Sequence, residues 1–528
     1  VDRAGGTLPY GQAANKTIQA ASITNLNLGL VVTNLNSYGL VVADAFSPAA
    51  GVTYQVANAT QSMFTPGLRI NGKISGSNGL TKTGNGTLAL GNAANDFTGD
   101  VVVNRGALAV SDNGQLGAAA NKVVLNPTGA SPTLRVTEDL TFAVGGRQIR
   151  FGNASFASVI EVNPGKTFTL DTAFDIGATA SAALEKLDNG VLAMSANNTG
   201  WLGTTAIKGG VILVTHANAL GGVAGNTISM PVTASLNPGQ TATGALHLSG
   251  GIILPNNISL GGSSTGIGIN YGGVVRSVSG NNTLSGTIAH VSGFGTIWSA
   301  APGATLNFAG VGTWTNSPSF GGGGTINFDA VPNLNSPTIG IMEGTTVNLN
   351  VDGSAASKFN PDQVIVRNGS FVLRSAGRIT DRDTWNEAHS GGAIVLDNSG
   401  TNVANRLNNR RLALNGGTLR LIVNATAAST EISTRELGGN YGLNVIQVDN
   451  TVGGQASTLQ WSAFNTLNAG STYDFQGAFG TATNMIRFGS GSGASITHAA
   501  PTSRTSATGI IPRATVNGTE WATYDNSS

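Results

Sequence analysis

A glycine returns about every twenty residues through much of this chain, and each time it opens a short run in which apolar residues alternate. Gly86 precedes Leu88 and Leu90, Gly106 precedes Leu108 and Val110, and further copies open at Gly165, Gly244, Gly303, Gly324, Gly344, Gly369 and Gly417. The intervals from Gly303 to Gly324, Gly344 and Gly369 are 21, 20 and 25 residues, and Gly86 to Gly106 is 20. Alternation is the period of a strand, and glycine supplies the positive φ that a tight corner needs before it. A recurrence of this length is one coil of a solenoid, a body that grows by stacking and not by enlarging its core. The expected fold class is therefore all-β, an elongated parallel β-helix or solenoid.

Composition fits that body. Charged residues are 10% of the 528, well under the roughly one quarter usual in globular domains, and the 75 glycines are about double the usual share. Stacked coils place like residues in register, so charge is repelled while Asn or Thr at corners can ladder from coil to coil. Roughly twenty to twenty-four coils at about 4.8 Å would give a rod on the order of 100 Å long. A net charge of +1 gives no field to draw in nucleic acid or an anionic membrane. The absence of cysteine excludes disulfides and thiolate metal sites. No apolar run is long enough for a membrane-spanning helix, and the first residues lack the pattern of a signal peptide.

A longer self-match lies in the first half. Leu80–Gly117 laid on Leu184–Gly221 without gaps gives 11 identities in 38 positions, pairing Gly86 with Gly190, Leu88 with Leu192, Gly99 with Gly203 and Gly106 with Gly210. Leu108 falls on Ile212, a conservative change at an inward position. Corners and inward apolar residues persist while polar positions drift, which is how a scaffold behaves.

The stretch "GLTKTGNGTLALGNAANDFTGDVVVNRGALAV", Gly79 to Val110, resembles the autotransporter-associated β-strand repeat, also called the passenger-associated transport repeat, of large secreted bacterial surface proteins. The second copy departs from it with Asp188 in place of Gly84 and Trp201 in place of Phe97. The tail "GIIPRATVNGTEWATYDNSS" and "RLNNRRLALNGGTLRL" are similar to segments that recur within such proteins. The resemblance implies secretion, a right-handed parallel β-helix and a role at or beyond the cell surface, and it transfers no functional site. It also leads one to expect a C-terminal membrane barrel, of which "YDNSS" shows no sign.

Candidate chemistry is sparse. The five histidines are far apart, and the "GGGG" at Gly321–Gly324 lacks the Lys-Ser/Thr of a phosphate loop, so it reads as a corner. The densest polar cluster is "RITDRDTWNEAHSGG", with Asp381, Asp383 and Glu387 beside Trp385, the residue types that glycoside hydrolysis needs. Its "DRDTWNEAH" is also the best candidate for a helix. The tryptophans are too scattered for a sugar-binding platform.

The expected organisation is an N-terminal cap or exchanged strand at 1–40, a solenoid at 41–222 holding both repeats, a continuing solenoid at 223–375, a polar excursion at 376–395 and a C-terminal β module at 396–528, with a sandwich-like module as the alternative to coils there. The expected function is a non-enzymatic structural protein of the bacterial exterior. Its partners are its own copies, joined through solenoid ends into a homopolymeric filament, and surface glycans or other cells, with no cofactor. The alternative is a secreted polysaccharide-active β-helix enzyme working through Asp381, Asp383 and Glu387.

Overall fold

The computed structural model describes residues 17–20, 26–33, 39–57, 66–177, 179–223, 225–231, 244–261, 271–290, 296–315, 317–331, 333–335, 338–354, 358–450, 455–464, 470–479, 483–489, 494–497 and 508–525. Most of the segment expected as an N-terminal cap, including residues 1–16, lies outside them. Among the described residues the only helical elements are two short 3₁₀ turns, Leu26–Leu28 and Asn113–Leu116; the rest of the regular structure is strand. The chain divides into two compact units, residues 1–229 with 233–244, and residues 230–232 with 245–528.

In the first unit, parallel strands stack in columns. One column runs Thr17–Ala20, Gly39–Val42, Leu68–Ile70, Thr87–Leu90, Gly106–Val110, Pro132–Val136, Ser158–Val162, Leu184–Leu187 and Thr205–Ile207, each in register with the next. A second runs from Leu30–Val32 to Ile149–Phe151. A third begins at Leu140–Phe142 and continues through Thr167–Leu170, Val191–Met194 and Gly210–Val214. Parallel pairing of strands about one coil apart is the solenoid that the spacing predicts.

Each sequence repeat is two successive coils stacked on each other. Leu80 lies over Val101 and Leu88 over Leu108 in the first copy; Leu184 lies over Thr205 and Leu192 over Ile212 in the second. Corresponding strands of the two copies lie in different columns, so the motif encodes its own stacking and not a fixed face of the coil.

In the second unit a column of short strands runs from Ile258–Gly261 to Phe359–Asn360, and two longer columns run side by side. One includes Thr305–Phe308, Thr325–Phe328, Thr345–Leu349, Gly369–Leu373, Gly392–Asp397, Thr418–Ile422, Tyr441–Asp449 and Gly470–Gly477. The other includes Ile297–Ala300, Ser319–Gly321, Ile339–Ile341, Val364–Val366, Trp385–His389, Arg411–Asn415, Ser429–Gly438, Ser457–Phe464 and Asn484–Phe488. The Gly321–Gly324 run is the corner between Ser319–Gly321 and Thr325–Phe328, with Gly322 and Gly323 both at positive φ.

Three expectations are corrected by the strand pairing. The stretch taken as the best helix candidate forms the strand Trp385–His389, because Asn386 and Ala388 alternate inward at 1% and 0% exposure. Residues 376–395, expected as a polar excursion, thus include a strand paired parallel on both sides. Behind it the buried Arg406 and Arg410 donate to the carbonyls of Gly377, Ser375, Thr380 and Pro361, satisfying backbone that has few apolar anchors. The region after 396 is not a sandwich, since its strands stay parallel as far as Asn484–Phe488. Only then does pairing turn antiparallel. Ala494–Thr497 pairs with Asn484–Phe488 and with Glu520–Asp525, which pairs with Thr508–Val516, which in turn lies parallel on Gly470–Gly477. The last strands of both columns are thereby joined through three further strands.

Inward positions are filled by Leu, Val, Ile and aromatic side chains at or near zero exposure. Phe308 stacks on Phe328 at 4.9 Å and Trp298 lies 4.8 Å from Trp314, with Phe320 packed edge-on nearby. On the outward side of the same strands Asn281, Asn307, Asn327 and Asn348 form an amide ladder, each Nδ2 donating to the Oδ1 one coil earlier at 2.5, 2.7 and 2.7 Å.

Candidate functional site

The repeat residues singled out from sequence are structural parts of the coil. Leu88, Leu108, Leu192 and Ile212 are all fully buried. A Cβ on Gly106 would stand 2.5 Å from the carbonyls of Gly84 and Gly86, and one on Gly210 would stand 2.2 Å from Gly190 O; both residues sit at positive φ. Gly99 and Gly203 are equally tight against Gly79 N and Ala182 O, while Gly86 and Gly190 are buried at the preceding corner. Asp188, standing where the first copy has Gly84, adopts φ 61, and Trp201 fills the place of Phe97 while donating from Nε1 to Ala182 O at 2.8 Å. Both departures are therefore accommodated.

Sequence reasoning missed the polar half of this motif. Lys82 and Lys186 point into the coil at 0% exposure. Lys82 Nζ donates to the carbonyls of Thr83, Gly84 and Arg105 at 2.8, 2.8 and 2.9 Å; Lys186 Nζ donates to Leu187, Asp188 and Gly209 at 2.6, 2.7 and 3.3 Å. An ammonium has three N–H donors, and each site offers three acceptors from two successive coils. Burial lowers both pKa values to about 7. Asn95 and Asn198 likewise accept from the backbone N of Ile74 and Phe174 and donate to the carbonyls of Gln115 and Ala219. Asn121 and Asn226 donate from Nδ2 to the carbonyls of Phe97 and Trp201. The missed signal was parity, because each lysine sits two residues after an inward leucine. The asparagines were hidden by one extra residue in the second copy between Asn198 and Trp201.

The three carboxylates of the polar cluster lie on or beside one outward face, and each has a partner. Arg435 bonds Asp381 Oδ1 at 3.0 Å and contacts Asp383 Oδ1 at 2.7 Å; Arg411 donates to Asp383 Oδ1 at 2.6 Å and pairs with Glu436 at 3.3 Å. The hydrogen bond from Arg411 holds the Asp383 carboxyl below the usual range. The Arg411 guanidinium also lies over the Trp385 ring, 5.5 Å from its centroid. Glu387 Oε2 accepts from His389 Nε2 at 2.8 Å, which leaves Nδ1 to accept from the Tyr441 hydroxyl at 2.8 Å. A general acid needs a raised pKa, and the arginines push Asp383 the other way.

Other candidates resolve into packing. Trp201, Trp298, Trp314 and Trp461 are fully buried. His290 is buried and His247 partly so, and desolvation lowers both pKa values to about 4; His498 lies outside the described residues. Among the described residues no three His, Cys, Asp or Glu side chains gather as a metal site, and no helix is long and apolar enough to cross a membrane.

Comparison with known proteins agrees with the repeat geometry. The model of the passenger-associated-transport-repeat family matches residues 80–110 and 184–214, the two stretches that carry the buried lysines. The adhesin BmaC autotransporter of Brucella suis biovar 1 (strain 1330) is 29% identical over 209 residues, which is 37% of this chain and 6% of that protein. The chain thus spans a small part of its relative's length. No solved structure matches it at a significant level. The chain is a β-solenoid protein bearing two autotransporter passenger repeats, and its place is outside the cell, secreted or at the cell surface.

Proposed function

We propose that this chain is a non-enzymatic section of an extracellular bacterial adhesin, which presents the side faces of stacked coils to a surface. The observation that carries this is the doubled passenger repeat, whose identities are spent on corners, inward apolar residues and buried lysines and not on an exposed constellation. The relative named an adhesin supports the adhesive part. Ion pairing of Asp381 and Asp383 supports the non-enzymatic part over the polysaccharide-active alternative. Beads coated with the purified protein should adhere to cells or glycan-bearing surfaces above an uncoated control, and the soluble protein should compete. Turnover of a glycan panel by the wild type, lost on changing Asp381, Asp383 and Glu387 to Ala, would make it an enzyme instead.

Self-association is the finer form of this reading. Parallel strands add partners at open edges, and among the described residues Thr17–Ala20 and Leu30–Val32 each have one strand neighbour. The antiparallel closure at 484–525 narrows where a second copy could pair.

A further inference from the structure

We propose that the outward face around Trp385, Glu387, His389 and Tyr441 binds a short, neutral oligosaccharide lying along the strand Trp385–His389. This deepens the adhesive reading and rests on it. Trp385 is partly exposed, with the Arg411 guanidinium over one face of its ring, and Tyr441 is 47% exposed, placing an aromatic ring at each end of a line of hydrogen-bonding groups. A strand rises about 3.3 Å per residue, so the four steps from Trp385 to His389 cover about 13 Å, room for a few sugar rings. Sugar rings offer apolar C–H faces to aromatic side chains and hydroxyls to carboxylates and imidazoles, the two kinds of group this face alternates.

The polar groups are already oriented. Tyr441, His389 and Glu387 are linked by two hydrogen bonds of 2.8 Å, and Asp383 is fixed by Arg411 and Arg435. Little side-chain freedom remains to be lost on binding. Charge selects the ligand class. Asp381, Asp383, Glu387 and Glu436 outnumber Arg411 and Arg435, so the face repels uronates, sulfated glycans and nucleic acid. An extended peptide has no edge to join, since Trp385–His389 is paired on both sides.

The test is titration of the intact protein with cello-, chito- and manno-oligosaccharides of three to six units, with polygalacturonate and heparin as anionic controls. One neutral series should bind and the anions should not. Trp385→Ala and Tyr441→Ala should each weaken that binding by about ten-fold or more, while Tyr441→Phe, which keeps the ring, should retain most of it. Melting curves for each variant separate a lost site from a lost fold; where Trp385→Ala does not fold, Tyr441→Ala decides. No binding of any neutral series by the wild type, or wild-type affinity in a folded Tyr441→Ala, overturns the proposal. If coated beads still adhere in either case, the adhesive reading stands and only this site falls; if wild-type beads adhere to nothing, the adhesive reading fails first.

Discussion

Lys82 and Lys186 are the fully buried cations of the two repeats, and each is held because its three donors all meet backbone carbonyls. Replacing either with Met keeps the stem and removes three donors from backbone carbonyls of two coils. Each change should lower stability by about 3 kcal/mol, read as a shift of the urea midpoint. Lys73→Met, at a side chain 44% exposed and paired with Asp96, should change it by no more than about 0.5 kcal/mol. An unshifted midpoint in Lys82→Met would remove the lysine from any role in the repeat. Glu431 poses the opposite case, an acid fully buried against the backbone N of Leu407, with burial pushing its pKa up to about 8. Its unfolded value is about 4.3, so between these two pH values the folded chain binds the extra proton. Stability should therefore fall as pH rises from about 4.5 to 8, by up to about 1.4 kcal/mol per unit from this residue alone. Glu431→Gln should remove that slope. Parallel pH profiles of the two proteins would refute the assignment.

Strands and corners were legible because backbone rules leave few alternatives. A glycine whose Cβ would meet a carbonyl of the previous coil, as at Gly106, cannot hide its position, and the inward Leu88 and Leu108 fix the parity of their strands. Asn laddering, anticipated at corners, appears within strands as Asn281–Asn307–Asn327–Asn348, stopping where the next coil offers Val372. Polar residues facing inward were not legible. Lys82 and Asn386 resemble surface residues until their parity is counted, and each relies in part on a contact with a coil more than twenty residues away. The segment near Asp381 was misread for the same reason: its charges pair with Arg411 and Arg435 one and two coils on, a relation invisible in a single coil. Short-range pattern thus fixes where strands lie, and the polar architecture comes from stacking.

Stacked parallel coils carry a liability that low charge makes worse, since an open strand edge is a template for another chain and few like charges oppose the approach. The closure at 484–525 answers it. Asn484–Phe488 and Gly470–Gly477 would each offer an edge, but Ala494–Thr497, Glu520–Asp525 and Thr508–Val516 join them, so every one of these strands has neighbours on two sides. A head-to-tail filament needs two different complementary surfaces, whereas pairing through Thr17–Ala20 or Leu30–Val32 alone brings like to like and stops at a dimer. A chain ending at Gly489 should expose both edges and form concentration-dependent oligomers, seen by light scattering and electron microscopy. The chain through Ser528 should stay monomeric or dimeric at the same concentration. Long filaments from the intact chain would mean that the closure opens or that coils pair through their sides. A truncated chain that stays monomeric would mean that the three strands are dispensable to edge protection.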